Sequence, residues 1–528
     1  MKFLTKKNIL VLVLLITSVS FSPTLRNQFT NWDDANHITA NPDITGLDSA
    51  HFKKIFSRPI QDTYVPLTIL SFALEYHFVQ LNPFLYHLDN LLLHLGVTTL
   101  IFLFVLRLGF SLTTAGCTAL LFGIHPLHVE SVAWATERKD VLYAFFYMLA
   151  VYNYCGYLKT RRWQDFIGVL VLGLLSMLAK AMALSLPFIL LLCDWFYERQ
   201  DKQRVLLEKI PFLFYIVPIA WITYSLNMKI LQLSTDVFQS ILMCAWSFAF
   251  YLNKFIFPFV FIPIYSVPKP ITIWNWSYAW AVIVVVGFVF CLIRYKEKRW
   301  LTLGSLFYFA SIFFLLRFTE NVSSRNFVAD RFGYLPSFGF CLITAVLIEQ
   351  ITQNLKTRER QIQQAVLTFA GILIVFLSVK TFCQTQVWKN NLSLWNYAVS
   401  QNHSNDIFYY NRAASYFVDG KYDLAVADCS AAIELNPQKW SAYNVRALAY
   451  RAKGEYDLAL KDFSVIESVS KNDVLFFNNR GITYMDKGDK DKALQDFNRA
   501  LAINPRFPMA RDNRELLLRN QTPPSSIK

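Results

Sequence analysis

Long apolar runs separated by short polar links fill the chain from residue 8 to residue 383. They lie near 8 to 25, 84 to 106, 112 to 130, 140 to 158, 164 to 180, 182 to 197, 210 to 228, 277 to 294, 300 to 316, 333 to 350 and 365 to 383. Runs of this length predict helices that cross roughly 30 Å of hydrocarbon. About eleven spans are therefore expected. One further apolar segment, residues 238 to 262 within "FQSILMCAWSFAFYLNKFIFPFVFIPIY", is broken by Pro258 and Pro263. It reads as a helix lying along or dipping into the outer face. The N-terminal "MKFLTKKNILVLVLLITSVSFSP" is expected to be an uncleaved first span, with a removable signal peptide as the alternative.

From about residue 405 the chain turns polar and a period of 34 residues appears. Arg412, Arg446 and Arg480 recur in step, as do Tyr416, Tyr450 and Tyr484, then Gly420, Gly454 and Gly488, Ala425, Ala459 and Ala493, and Asp428, Asp462 and Asp496. Each unit reads as helix, glycine-containing turn, helix. The first and third close on Asn436-Pro437 and Asn504-Pro505, whereas the middle one carries Ser470-Lys471. This resembles the tetratricopeptide repeat. The segment "VWKNNLSLWNYAVSQN" is expected to form a lead-in helix and "RFPMARDNRELLLRN" a polar cap. Such a stack is either a rigid spacer or dimerisation unit, or a concave surface that holds an extended polypeptide. The expected divisions are a membrane domain over 1–385, a lead-in helix over 386–404, three repeats with a capping helix over 405–520 and a disordered tail over 521–528.

Composition agrees with a membrane protein. Of 528 residues 54% are hydrophobic and 16% aromatic, and the mean hydropathy is +0.32. The net charge of +14 is not a nucleic-acid signature, because the basic residues fall in short clusters between apolar runs. Lys2/Lys6/Lys7, Lys159/Arg161/Arg162, Lys202/Arg204/Lys209, Arg294/Lys296/Lys298/Arg299 and Lys356/Arg358/Arg360 are all expected to be cytoplasmic. They agree with one another only if 238 to 262 does not cross. The N-terminus is then inside and the C-terminus outside. "QFTNWDDANHI", "HVESVAWATERKD", "AKAMALS" and "RFTENVSSRNFVADR" all face outward. Seven of the eight cysteines sit in apolar segments, so neither a disulfide framework nor a CxxC metal site is implied.

The outward loops hold the candidate chemistry. Asp33 and Asp34 are adjacent, and a like-charged neighbour raises the pKa of one member, which makes a better general base. Taken alone, the pair reads equally as an Asx turn or helix cap. His125 and His128, with Glu130, could ligate zinc, although Pro126 disturbs the helix; a polar cluster with Glu130 as a second acid is the other reading. Arg138, Lys139, Lys180 and Arg331 are candidate partners for a phosphate, and Lys180 could instead snorkel to the surface. Asp89, Asp330 and Tyr334 are supporting polar groups.

In these residues the chain resembles the membrane-embedded C-type (GT-C) glycosyltransferases, and more closely the transmembrane and tetratricopeptide-repeat-containing O-mannosyltransferase family with its bacterial relatives. The pieces that carry the resemblance are "NWDDANHI", "YHLDNLLLH", "HPLHVESVAWATERKDVL", "LAKAMALSLP" and "ADRFGYLPSFGF", followed by repeats after the last span. It implies an all-α, polytopic membrane domain with a short α-solenoid. It also implies inverting transfer of one sugar, mannose or a similar hexose, from a polyprenyl-phosphate donor to a protein hydroxyl on the extracytoplasmic face. Asp33 or Asp34 would be the base, Glu130 the acid of the next outer loop, and Arg138, Lys139, Lys180 and Arg331 the donor-phosphate anchors. The concave repeat face around Arg412, Arg446 and Arg480 would bind the acceptor. No cofactor is certain, and a divalent metal stays open. A bacterial inner membrane is expected, with the endoplasmic reticulum as the alternative. Competing readings are a non-enzymatic membrane-anchored repeat scaffold and an O-antigen polymerase or ligase.

Overall fold

The computed structural model describes residues 5–61, 63–228, 236–316, 327–354 and 360–519. The expected tail over 521–528 and most of the last outer loop, 317–326, lie outside the described residues. Two compact units are formed, residues 1–390 and 391–528.

Among the described residues of the first unit six helices are long and apolar enough to cross a membrane: Lys6–Arg26, Pro83–Arg107, Ala135–Thr160, Lys202–Leu226, Trp276–Arg294 and Gln361–Val387. The pair Leu112–Ile124 and Pro126–Ala133, bent by 50°, passes the same length and composition test only when taken together. Four shorter apolar helices, Trp163–Ala179, Ala181–Phe196, Arg299–Leu315 and Ser337–Gln353, complete the set. These coincide with the expected segments one for one, and the chain is a multi-pass membrane protein.

Local chemistry fixes the ends. Asn82 caps the helix Pro83–Arg107 by accepting from Phe84 N, and Pro83 starts it where a missing N–H costs nothing. Ser111 caps Leu112–Ile124 through Thr114 N at 3.0 Å. That helix stops at His125 because Pro126 cannot donate to its ladder, and this is the origin of the bend. The ambiguous segment forms the helix Val237–Ile256, which ends just before Pro258. One of its faces buries Leu242, Met243, Phe248 and Tyr251 against Tyr278, Tyr308 and Phe340.

Outer faces are greasy. Trp276–Arg294 exposes Ile283, Val286, Phe290 and Ile293, and Arg360–Val387 exposes Phe369, Ile372, Val375 and Val379. In lipid this exposure carries no penalty. Between the first two spans lie two further helices, Ser49–Ser57 and Pro66–Val79, which the hydrophobic pattern did not single out. They pack around Ile38, Ile44, Ile55, Ile69 and Phe72 and make the link between the first two spans a folded layer.

The second unit starts with the helix Asn391–Gln401 and continues as the pairs Asp406–Val418/Tyr422–Leu435, Trp440–Ala452/Tyr456–Ile466 and Val474–Lys487/Lys490–Ile503, closed by Pro508–Arg519. Gly420, Gly454 and Gly488 turn each pair at φ of +73°, +80° and +93°, where a side chain would be strained. Ala425, Ala459 and Ala493 are fully buried where the helices cross.

Candidate functional site

The bend after His125 sends the short helix Val129–Ala133 and the turn Ala135–Glu137 across the end of the bundle. The helix Arg138–Thr160 begins immediately afterwards. Successive residues on a helix are about 100° apart. Arg138, Lys139 and Asp140 therefore leave its first turn in three directions.

Lys139 turns back to Glu137, its Nζ 3.0 Å from Oε1. Glu137 is fully buried and also has Arg331 Nε at 3.3 Å and Lys180 Nζ at 3.6 Å. Three cations from three separate segments thus surround one carboxylate. Sequence reasoning missed Glu137; its position just before the two basic residues was the only signal. Asp140, likewise not singled out, accepts from Ser131 Oγ at 3.2 Å and forms an ion pair with Lys180. Arg331 is also held by Glu130: its NH1 donates to Oε1 at 2.5 Å and its backbone N to Oε2 at 2.9 Å. Burial opposes the charge of Arg331, but Glu130 and Glu137 overcome it and keep the guanidinium protonated. Its guanidinium lies 5.6 Å from the ring centre of Trp134, which stacks on Trp388.

Arg138 is not part of this group. It donates to Glu75 Oε1 at 2.8 Å, to Tyr86 O at 2.7 Å and to Asn90, with Asp89 at 3.9 Å. These contacts tie the helix Pro66–Val79 to Pro83–Arg107. Arg138, buried and fully engaged, holds the outer layer in place, and Asp89 lies in that second cluster.

The two adjacent aspartates differ sharply. Asp34 is 1% exposed, and its carboxylate accepts four hydrogen bonds: from Thr30 N at 2.7 Å, Thr30 Oγ1 at 3.1 Å, Thr136 N at 3.1 Å and Thr136 Oγ1. Burial pushes its pKa up and these bonds oppose the rise. Asp34 fastens the loop after the first span to the turn Ala135–Glu137. The Asp33 carboxylate has no hydrogen bond or ion pair among the described residues, and it is only partly buried. Burial raises its pKa, the charges of Lys139 and Arg331 pull it down, and Glu137 adds to the rise. His37 sits behind it, its Nδ1 3.2 Å from Asp33 O. Burial, helped by Lys139, lowers the pKa of His37 to about 4, so the ring is neutral at pH 7.

The remaining candidates surround the site. The Asp330 carboxylate accepts from Tyr265 OH at 2.9 and 2.8 Å, and burial raises its pKa to about 8, with Lys254 opposing and Glu130 reinforcing. Tyr334 OH meets His94 Nδ1 at 2.7 Å. The zinc reading of His125, His128 and Glu130 does not fit this arrangement. His125 uses Nε2 on Phe255 O and Nδ1 on Leu127 N, His128 uses Nδ1 on Phe122 O and Nε2 on Ser337 Oγ, and Glu130 is taken by Arg331. Among the described residues no three His, Cys, Asp or Glu side chains are placed to share a metal ion.

In the repeats, Arg412, Arg446 and Arg480 are each gripped by the aspartate sixteen positions on. Nε and NH2 bond both oxygens of Asp428, Asp462 and Asp496 at 2.7–2.8 Å. These arginines staple each repeat internally rather than presenting free guanidinium groups to a ligand. The recurrence of Arg and Asp at a fixed offset was already visible in the sequence.

Comparison with known proteins agrees with this architecture. The tetratricopeptide-repeat family model matches residues 407–439 and 474–507. A protein O-mannosyl-transferase of Caenorhabditis elegans, F38B6.6, is 25% identical over 82% of this chain and 63% of its own length. The Drosophila melanogaster protein O-mannosyl-transferase Tmtc1 is 33% identical over 31% of this chain and 20% of its own. The chain thus spans less than two thirds of the curated relatives it matches. Among solved structures, ArnT from Cupriavidus metallidurans bound to undecaprenyl phosphate aligns with 85% of this chain and 78% of its own, at 13% identity and a TM-score of 0.37. The resemblance to the O-mannosyltransferase family carried by the sequence motifs is borne out by these relatives.

Proposed function

We propose that this chain is a membrane glycosyltransferase that moves one hexose, mannose or a close relative, from a polyprenyl-phosphate carrier to a hydroxyl of a protein acceptor. The observation that carries the reading is the contrast at Asp33: an unbonded, partly buried carboxylate in the field of Lys139 and Arg331, with every neighbouring acid already engaged.

In this mechanism Asp33 takes the proton of the acceptor hydroxyl as its oxygen attacks the anomeric carbon. The bond from that carbon to the phosphate oxygen breaks, its electron pair leaves with the polyprenyl phosphate, and configuration inverts. Lys139, Lys180 and Arg331 stabilise the phosphate as it gains charge. Glu137 holds the three cations in place beforehand, so little reorganisation accompanies the reaction. Asp34 positions the loop that carries the base, and Glu130 positions Arg331.

The reaction faces outward in this reading. Lys139 and the Lys159/Arg161 cluster stand at opposite ends of one helix, about 30 Å apart by helical rise, which is the thickness of the hydrocarbon core. The repeats would bring the acceptor polypeptide to the same side, outside the inner membrane of a bacterium; the short loops and few repeats favour that setting over the endoplasmic reticulum.

The test is reconstitution in proteoliposomes with a panel of polyprenyl-phosphate sugars and Ser/Thr peptides. Transfer by the native protein and its loss in Asp33→Asn is the expected result. Equal turnover in both proteins would remove Asp33 from the chemistry, and no turnover with any donor would favour the scaffold reading.

A further inference from the structure

At the end of the bundle away from Asp33, the helices Leu186–Phe196 and Arg299–Ile312 diverge around a cleft of about 1060 Å³. Its wall is apolar, formed by Phe188, Leu192, Phe309 and Phe313 among others. Its mouth is basic: Lys202 and Lys296 line it, both exposed, and neither ammonium has an acidic partner among the described residues. Arg299 is already committed there to Glu198 and to the carbonyls of Trp195 and Phe196, and Arg199 to Asp194 and Glu208. Glu297 is the remaining acid on the rim.

We propose that this cleft binds an anionic phospholipid of the cytoplasmic leaflet, with an acyl chain against the apolar wall and the phosphate between Lys202 and Lys296. Three observations select that occupant. Of the three unpaired charges at the mouth two are positive, Lys202 and Lys296 against Glu297, and basic pockets between spans on the cytoplasmic side suit acidic headgroups. Trp195, 41% exposed beside them, is the aromatic type enriched at the headgroup level. The wall helix Leu186–Phe196 has 11 residues, a rise of about 16 Å, which is the depth of one leaflet. A single-leaflet lipid matches that depth. The proposal depends on the basic clusters facing the cytoplasm and is independent of sugar transfer.

The experiment uses the full chain purified in detergent and given equal amounts of phosphatidylglycerol and phosphatidylcholine with the same acyl chains, read by native mass spectrometry. Preferential retention of phosphatidylglycerol is expected. Lys202→Gln with Lys296→Gln should weaken it by about thirtyfold, roughly fivefold per lysine, with phosphatidylcholine unaffected. Acyl-brominated phosphatidylglycerol should quench a fluorescence component that disappears in Trp195→Phe. Equal retention by native and doubly substituted protein, or a quenched component unchanged in Trp195→Phe, would overturn the assignment. Displacement of phosphatidylglycerol by undecaprenyl phosphate in a lysine-dependent way would overturn it too, and give the cleft to the donor's carrier.

Discussion

Two charged clusters occupy opposite ends of the membrane unit, and they are built differently. Around Asp194 every group is closed off. Tyr154 OH donates to both carboxylate oxygens at 2.8 Å, Lys209 Nζ bonds Oδ2 at 2.6 Å, and Arg199 bridges Asp194 at 3.1 Å to Glu208 at 2.5 Å. Around Glu137, Arg331 is closed on Glu130 and Lys180 on Asp140, and the slack belongs to two carboxylates. The three cations stand 3.0–3.6 Å from a carboxylate that makes no hydrogen bond among the described residues, and Asp33 nearby is unpaired. A closed cluster fixes helix geometry. An open one keeps charges desolvated and available, which is the condition under which a phosphate or a proton can be bound there.

The sharpest way to break this comparison is to neutralise one acid in each cluster. Asp33→Asn is expected to lower sugar transfer by about 10²- to 10⁴-fold with an unchanged melting temperature. Asp194→Asn should do the reverse, costing about 3–5 kcal/mol of stability by leaving Lys209 and Arg199 uncompensated, while turnover per folded molecule holds. Thermal melts and initial rates on both variants decide it. Next in size, Lys180→Met should raise KM for the lipid-linked donor about tenfold to a hundredfold, the cost of one charged hydrogen bond, with a smaller change in acceptor KM.

The pH profile sharpens the same point. Burial raises the Asp33 pKa above its ordinary value of about 3.9, and only the ionised form is a base. Transfer should therefore fall as pH drops through that raised value and reach a plateau above it, with the acid limb absent from the residual rate of Asp33→Asn. Smallest of all, a double-mutant cycle between Lys421 and Asp419 in the repeats should give a coupling below about 1 kcal/mol, because both side chains are exposed.

The apolar spans and the 34-residue period were legible because each rests on a local pattern: run length for the spans, and recurrence of Gly, Ala and Arg for the repeats. Helix Pro66–Val79 was not, since a largely apolar stretch of 14 residues between two spans looks like neither a span nor a surface helix. Within the site, residue type and order pointed to Asp33, Lys139, Lys180 and Arg331, which the fold does bring together. The same reading placed Arg138 beside Lys139, and a helical turn separates them into different clusters. Glu137 stayed hidden because its meaning depends on three cations that converge only in space. Arg412, Arg446 and Arg480 show the reverse problem: their recurrence was plain, but periodicity reports importance to the repeat without saying whether a side chain faces a ligand or a neighbouring helix.

The Asp33 loop is also pinned from the far end of the membrane unit. Gln28 N donates to Lys389 O at 2.8 Å, and the Asn27 side chain reaches Thr385 O and Ala133 O. Lys389 and Thr385 lie about 360 positions along the chain from Gln28 and Asn27, so a ribosome has made nearly the whole membrane unit before these two bonds can form, whereas the bonds to Ala133 and Thr136 can form much earlier. During biosynthesis the segment that carries Asp33 is made early, and its last two tethers close only when the helix Arg360–Val387 is in place. In the proposed mechanism a chain that ends before Thr385 lacks both distant tethers, so a half-built bundle would draw little on the cell's pool of lipid-linked sugar.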